Sequence, residues 1–248
     1  KEFLLCGAGA AGPALEGAAV LQGMGAVEGA IRKVALTGRF PMQDLACQVI
    51  GGGEAKGICG SGLISALSQL VRIGVIDESG YIRNAKELRR MGVPVRICQR
   101  VREDGEAGER RILLSGEVLQ KPVFLTASDI RQLQLAKGAI RAGIETLLQK
   151  AQIPAKELRR IYLTGSFGNS LSAEDVTGIG LLPETEKEKI TSVSSCAGMG
   201  AAMALLSGQV QRKMEEDAEK ICHVELAGEP DFQERFLKEM NFPGNEVH

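Results

Sequence analysis

Arg160-Ile161-Tyr162-Leu163-Thr164-Gly165-Ser166-Phe167-Gly168 reads as a buried strand that runs straight into a glycine turn. Turns at the C-terminal ends of strands are where open α/β sheets place their ligands. Ahead of it, Thr126-Ala127-Ser128-Asp129 has the spacing of a capping box, and Leu133, Ala136, Ile140, Ile144 and Leu147 then fall on one helical stripe that ends near Ala151, before Pro154. Behind it, Ser172-Ala173-Glu174-Asp175 caps a second helix and Ile190 to Val193 reads as a strand. Cys196 to Leu206 then reads as a helix of small residues, and Arg212 to Glu225 as a polar amphipathic helix. Toward the N-terminus, Phe3 to Cys6, Ala46 to Ile50, Arg111 to Leu114 and Pro122 to Leu125 read as short strands. Residues 84–111 are rich in charge of both signs and are expected to form an exposed insertion. Strands alternate with helices, which predicts an α/β fold in a single domain over residues 1–248.

Composition removes several classes of function. Thirty Lys and Arg stand against 31 Asp and Glu, a net charge of −1, so there is no basic footprint for nucleic acid. Aromatic residues make up 4% and Trp is absent, which disfavours base-stacking platforms. The longest mainly apolar stretch, Ala197 to Leu206, contains two glycines and is too short to cross a bilayer. Six cysteines, at positions 6, 47, 59, 98, 196 and 222, show no C-x-x-C spacing, and the only histidines are His223 and His248. A metal site is therefore not expected, and reduced thiols in a cytoplasmic protein are. The chain starts without Met and opens into strand-like sequence, which suggests a C-terminal piece of a longer protein.

Several glycine-rich segments could carry chemistry. Gly7-Ala8-Gly9-Ala10-Ala11-Gly12 matches G-x-G-x-x-G, but Pro13, Gly17, Gly23 and Gly25 break the helix that a dinucleotide fold needs next. Gly57-Ile58-Cys59-Gly60-Ser61-Gly62 is better placed, because Leu63, Ile64, Leu67, Leu70 and Val71 continue it as an amphipathic helix. The amides around Gly60 and Gly62 could receive phosphate oxygens, with Ser61 adding a hydroxyl. The same small residues would equally allow close helix–strand packing. Glu16, inside the loop that ends at Gly17, could face a metal-bound nucleotide or cap a turn. Lys137, beside Gly138 on a mostly apolar helix, could meet an anion or nucleobase, or reach solvent along its own stem. No P-loop is present, and no nucleophile–base constellation supports a hydrolase triad.

Taken in order, these segments form a set. Gly12-Pro13-Ala14-Leu15-Glu16-Gly17, Gly51-Gly52-Gly53, Gly57 to Ile64, Asp129-Ile130, Ala136 to Ile140, Ile161 to Gly168, Ile179-Gly180-Leu181-Leu182-Pro183 and Asn241-Phe242-Pro243 resemble the C-terminal domain of the reductive activators of corrinoid proteins. The resemblance implies the fold of acetate kinase, sugar kinases and heat-shock ATPases, whose RNase H-like lobes grip ATP with Mg2+. It implies an ATP-hydrolysing activase that returns cob(II)amide corrinoid proteins to cob(I)amide. It further implies a [2Fe–2S] domain upstream and a corrinoid protein as partner, with no nucleic acid and no membrane involved.

By the same resemblance, Gly165-Ser166-Phe167 is the adenosine-binding turn, Lys137 lies near the base, and Cys196 to Ala202 connects the lobes. Glu16, Gly17, Gly60, Ser61 and Gly62 complete the expected nucleotide site. Two features depart from the family. The Asp-x-Gly-Thr phosphate strand expected just before Phe3 is not in this sequence, and Gly and Ala replace a serine near Gly9 to Ala11. A sheet edge left open by the missing strand could pair two copies into a homodimer. A small-molecule kinase of the same fold and a non-catalytic interaction domain are the alternative readings.

Overall fold

The computed structural model describes residues 4–104, 109–116, 121–168 and 170–244. Phe3, expected to open the first strand, and His248 lie outside them. β1 (Leu4–Gly7) is followed by a stretch whose glycines permit only one 3-10 turn, Pro13–Glu16. β2 (Ala30–Thr37) and β3 (Asp44–Val49) then form an antiparallel hairpin, and β4 (Gly57–Ile58) joins β2 in parallel. β2 is not among the expected strands. Arg32-Lys33 interrupts its alternation, and the register shifts between Ile31 and Lys33, so two successive charged residues both reach solvent.

α1 (Gly60–Arg72) lies on this hairpin and buries Leu63, Ile64, Leu67 and Leu70. Ser65 fastens the two elements, since its hydroxyl donates to the Val34 carbonyl at 3.0 Å and accepts the Val34 amide at 3.2 Å. Two short helices follow. α2 (Ala85–Arg90) is started by a capping box between Asn84 and Glu87, and α3 (Val95–Cys98) comes next. The expected exposed insertion is thus amphipathic on a short repeat. Lys86, Arg89 and Arg90 face solvent, while Leu88, Ile97, Cys98 and Val101 belong to the core. Helices this short bury only one or two residues each, and a reading based on charge density passes over them.

β5 (Val101–Asp104), β6 (Glu109–Ser115) and β7 (Val123–Thr126) make an antiparallel sheet. Arg100 ties it to the β2–β3 hairpin. Its Nε donates to Asp44 Oδ1 at 2.6 Å, and its two terminal nitrogens reach the carbonyls of Leu45, Leu113 and Leu114 at 3.0 to 3.1 Å. Burial by itself would raise the Asp44 pKa. The Arg100 hydrogen bond, the Leu45 amide and the charges of Arg100 and Arg96 outweigh it and hold the carboxyl below the ordinary value.

α4 (Ala127–Ala151) begins with the expected capping box. Thr126 Oγ1 accepts the Asp129 amide at 3.2 Å, and Asp129 Oδ2 accepts the Thr126 amide at 2.9 Å. The other Asp129 oxygen accepts the Leu21 amide at 2.7 Å and so anchors the N-terminal loop to this helix. β8 (Ile161–Thr164) runs into α5 (Gly165–Gly168), and α6 (Ala173–Gly178) is capped by Ser172. β9 (Ile190–Val193) pairs with β8 in parallel. This pair is half-buried, with Tyr162 55% exposed, rather than buried as its sequence suggests. α7 (Cys196–Leu206) forms as expected, yet none of its residues is buried, and Leu205 and Leu206 are 88% and 86% exposed.

The helix expected over Arg212 to Glu225 is two elements. α8 (Gly208–Ala218) starts earlier, capped by Ser207, and β10 (Ile221–Val224) is extended because it pairs in parallel with β1. α9 (Phe232–Lys238) packs on α4, and the segment after it buries Met240 and Phe242. No helix among the described residues is long and apolar enough to cross a membrane.

Replacing Arg100 by Met removes the guanidinium donors from Asp44 and from the Leu45, Leu113 and Leu114 carbonyls. The expected cost is on the order of 3 kcal/mol in chemical denaturation. Because the Asp44 carboxyl is depressed in the folded state, the unfolded chain takes up its proton first as pH falls. The native pair therefore stabilises the protein above pH ~4 and loses that contribution as pH drops further. Stability curves of the native protein and Arg100→Met should converge on acidification; a constant gap would refute this role for the pair.

Candidate functional site

Three loops meet at the N-terminus of α1. The 3-10 turn carrying Glu16 ends at Gly17, which is buried, has a φ of 85° and donates its amide to the Ala14 carbonyl at 3.1 Å. The Leu15 carbonyl of that turn lies against Gly60: a Cβ on Gly60 would stand 1.9 Å from this oxygen and 2.8 Å from Phe167 Cε2. Gly60 is thus the point where the Pro13–Glu16 turn, α1 and the turn after β8 touch. A Cβ on Gly62 would stand 2.0 Å from the Ile31 carbonyl oxygen. The Ser61 hydroxyl donates to the Arg32 carbonyl at 3.3 Å and lies 3.4 Å from Cys59 Sγ.

The smallness of Gly60 and Gly62 and the hydroxyl of Ser61 are therefore engaged by neighbouring protein. What remains for a ligand is backbone. Cys59, at the cap position, has an extended conformation and supplies no side-chain cap, so the first-turn amides of α1 depend on other acceptors.

The turn after β8 is of another kind. Gly165 has a φ of 89°, and no heavy atom lies within 4 Å of the position a Cβ would occupy. Only conformation requires glycine there, and the space beside it is open. Ser166 continues the turn, and Phe167 is half-buried against Gly60. Thr164 Oγ1, at the end of β8, accepts the Cys196 amide at 3.3 Å and so sets the start of α7 beside the same turn. Leu15 and Thr164 are positioning residues that the sequence reading passes over. The apolar-to-polar step at the end of the Ile161 to Thr164 run was the only signal for the second.

Lys137 has different partners. It is 1% exposed, and its Nζ donates to the Glu239 carbonyl at 2.5 Å and to the Asn241 carbonyl. Burial pushes its pKa down to about 8, with Glu239 opposing the shift and Arg141 adding to it. The residue holds the segment after α9 onto α4, and its hydrogen bonds do not involve the Gly60 and Gly165 turns. Glu16 is exposed. Among the described residues, no group of three or more His, Cys, Asp or Glu is arranged to hold a metal ion. The six thiols are unpaired, with Cys6, Cys196 and Cys222 exposed and Cys59 and Cys98 buried, and they do not fit an iron–sulfur cluster.

The two glycine types should respond differently to alanine. Gly60→Ala forces a methyl into the Leu15 carbonyl and should lower stability by about 2–3 kcal/mol, read as a fall in Tm. Gly165→Ala meets open space and should cost only the left-handed strain of about 1–2 kcal/mol. Equal losses at both sites would contradict the distinction.

The sequence model of the C-terminal domain of RACo, the ASKHA domain, matches residues 1–248. Over 243 residues the chain is 32% identical to the corrinoid activation enzyme RamQ of Eubacterium limosum, covering 95% of this chain and 39% of that protein. It is 26% identical to the [Co(II) methylated amine-specific corrinoid protein] reductase of Methanosarcina barkeri, covering 96% of this chain and 42% of that one. A solved structure of a reductive activator for corrinoid, iron–sulfur protein superposes with a TM-score of 0.79 at 34% identity, over 98% of this chain and 37% of that chain. The chain thus spans about two fifths of the length of the curated relatives it matches. With an α/β architecture and a match from end to end, the chain belongs to the family of RACo C-terminal ASKHA domains.

Proposed function

We propose that this chain is the nucleotide-binding and partner-docking part of an ATP-dependent reductive activator that returns inactive cob(II)amide corrinoid proteins to cob(I)amide. The observation that carries the proposal is the meeting of three loops at Gly60, in a chain whose two curated relatives bear the names of a corrinoid activation enzyme and a corrinoid protein reductase. The open, positive-φ Gly165 fits the close approach of a nucleotide, because a Cβ there would occupy the space a ligand needs.

In this reading Gly165, Ser166 and Phe167 hold the adenosine, and the α1 amides from Gly60 to Gly62 face phosphate oxygens. Gly17 shapes the turn that presents Glu16. A magnesium ion fits only as a companion of the nucleotide, with Glu16 as a nearby carboxylate, since Mg2+ typically keeps its waters and takes few protein ligands. Nucleotide would act here by conformation: drawing the Pro13–Glu16 turn, α1 and the β8 turn together changes the surface offered to the corrinoid protein. Reduction of cob(II)amide takes one electron, which comes from a reductant carried outside this chain. Lys137 stays out of the proposed site, because both its carbonyl partners lie after α9.

The test replaces the segment of the E. limosum relative that this chain matches with the chain itself. With ATP, Mg2+ and a reductant, the chimera should reduce a cob(II)amide protein, followed by the visible spectrum of the cobalt. Gly165→Val in the chimera should weaken ATP at least about ten-fold, given the strain at its φ and the filled space. A folded chimera that binds ATP equally well with and without Gly165→Val would overturn the site. One that reduces cob(II)amide at the same rate without ATP would overturn the mechanism.

A further inference from the structure

Away from the glycine turns, a cavity of about 610 Å3 opens between α4, the Gly180–Thr185 segment and the chain after α9. Of the residues expected at the nucleotide site, only Lys137 lines it. Two features of its wall are not explained by the fold. Lys137 has three N–H bonds, and two of them are taken by the Glu239 and Asn241 carbonyls. Thr185 Oγ1 is buried and has no hydrogen-bond partner. An unpaired buried hydroxyl costs about 1–3 kcal/mol, and such groups in native proteins call for a physical reason.

The charge of the wall is uneven. Lys137, Arg141 and Lys238 line it against Glu184 and Glu239, an excess of one positive charge. Arg141 already donates to the Leu182 carbonyl and pairs with Glu145 at 2.8 Å, and its Nε lies 3.8 Å from Glu239. Lys238 is exposed to solvent, whereas Lys137 is 1% exposed, so its ammonium charge is the one that solvent compensates least. Leu182 and Phe242 supply an apolar border.

We propose that this cavity is a binding site, separate from the nucleotide turns, for a small anion with a compact oxyanion head, either carboxylate or phosphoryl in type. The head accepts the third Lys137 N–H and the Thr185 hydroxyl proton, and Lys238 closes the rim. An anion so placed also offsets the buried ammonium charge that Lys137 carries while it holds the Glu239 and Asn241 carbonyls. Occupancy therefore locks the segment after α9 against α4. This proposal does not depend on the nucleotide reading.

The probes are sodium sulfate and sodium acetate, titrated into the full chain at constant ionic strength and pH 7 while the backbone amide resonances of Gly180, Thr185 and Asn241 are followed. At least one probe should shift these resonances saturably, sulfate marking a phosphoryl-type site and acetate a carboxylate-type site. Thr185→Val removes no hydrogen bond within the protein, so Tm should hold or rise while affinity falls about ten-fold. Lys137→Met should abolish binding. It also frees two carbonyls, so the Thr185 variant carries the test if the Lys137 variant is unstable. Linear, non-saturating shifts with both probes would overturn the proposal, as would unchanged affinity in Thr185→Val. ATP moving Thr185 and Asn241 together with Gly165 would merge the cavity with the nucleotide site and overturn its separateness.

Discussion

The Ile31 carbonyl accepts the Cys59 amide at 3.1 Å and occupies the space where a side chain on Gly62 would have to stand. Backbone rests directly on backbone at that point, as it does again where the Leu15 carbonyl meets Gly60. A dispersion contact between side chains can relax by rotating a χ angle, but two main chains at this distance cannot. The β2–β3 hairpin, α1 and the Pro13–Glu16 turn consequently share one frame. The β8 turn joins it through the Phe167 ring. Ser65, bonded both ways to Val34, extends the same fit along β2.

Much of the architecture was legible because local chemistry and tertiary packing agree. The Thr126–Asp129 and Ser172–Asp175 caps, the long amphipathic α4 and the small-residue α7 stand where their sequences predict them. The misreadings share a cause, which is that the deciding partner is distant. Ile221-Cys222-His223-Val224 continues a polar helical pattern and becomes a strand only because Leu4 to Gly7 lies beside it. β2 is hidden by the register shift at Arg32-Lys33. The short helices between 84 and 111 bury only one or two residues each under a charged surface, and composition alone cannot separate that arrangement from an exposed loop.

The site was legible in its parts and less so in its assignments. Glycine-rich turns stand out in the sequence, and three of them do meet. The sequence does not tell which glycine is small for the sake of a neighbour and which for the sake of its own φ. Gly60 and Gly62 belong to the first kind and Gly165 to the second, and only coordinates separate them. Lys137 shows the same limit. A lysine beside glycine on an apolar helix suggests contact with a ligand, yet its first partners are two carbonyls more than a hundred residues further on.

The parallel pair of β1 and β10 sets Leu4 opposite Ile221. Bringing those strands together closes a loop almost as long as the domain, for the sake of four residues on each side. Such a contact is costly in chain entropy and offers little local reward, so folding starts elsewhere and this sheet is added late. During synthesis the first strand leaves the ribosome with its partner still untranslated. Its pairing with β10 cannot form until that distant segment has emerged as well.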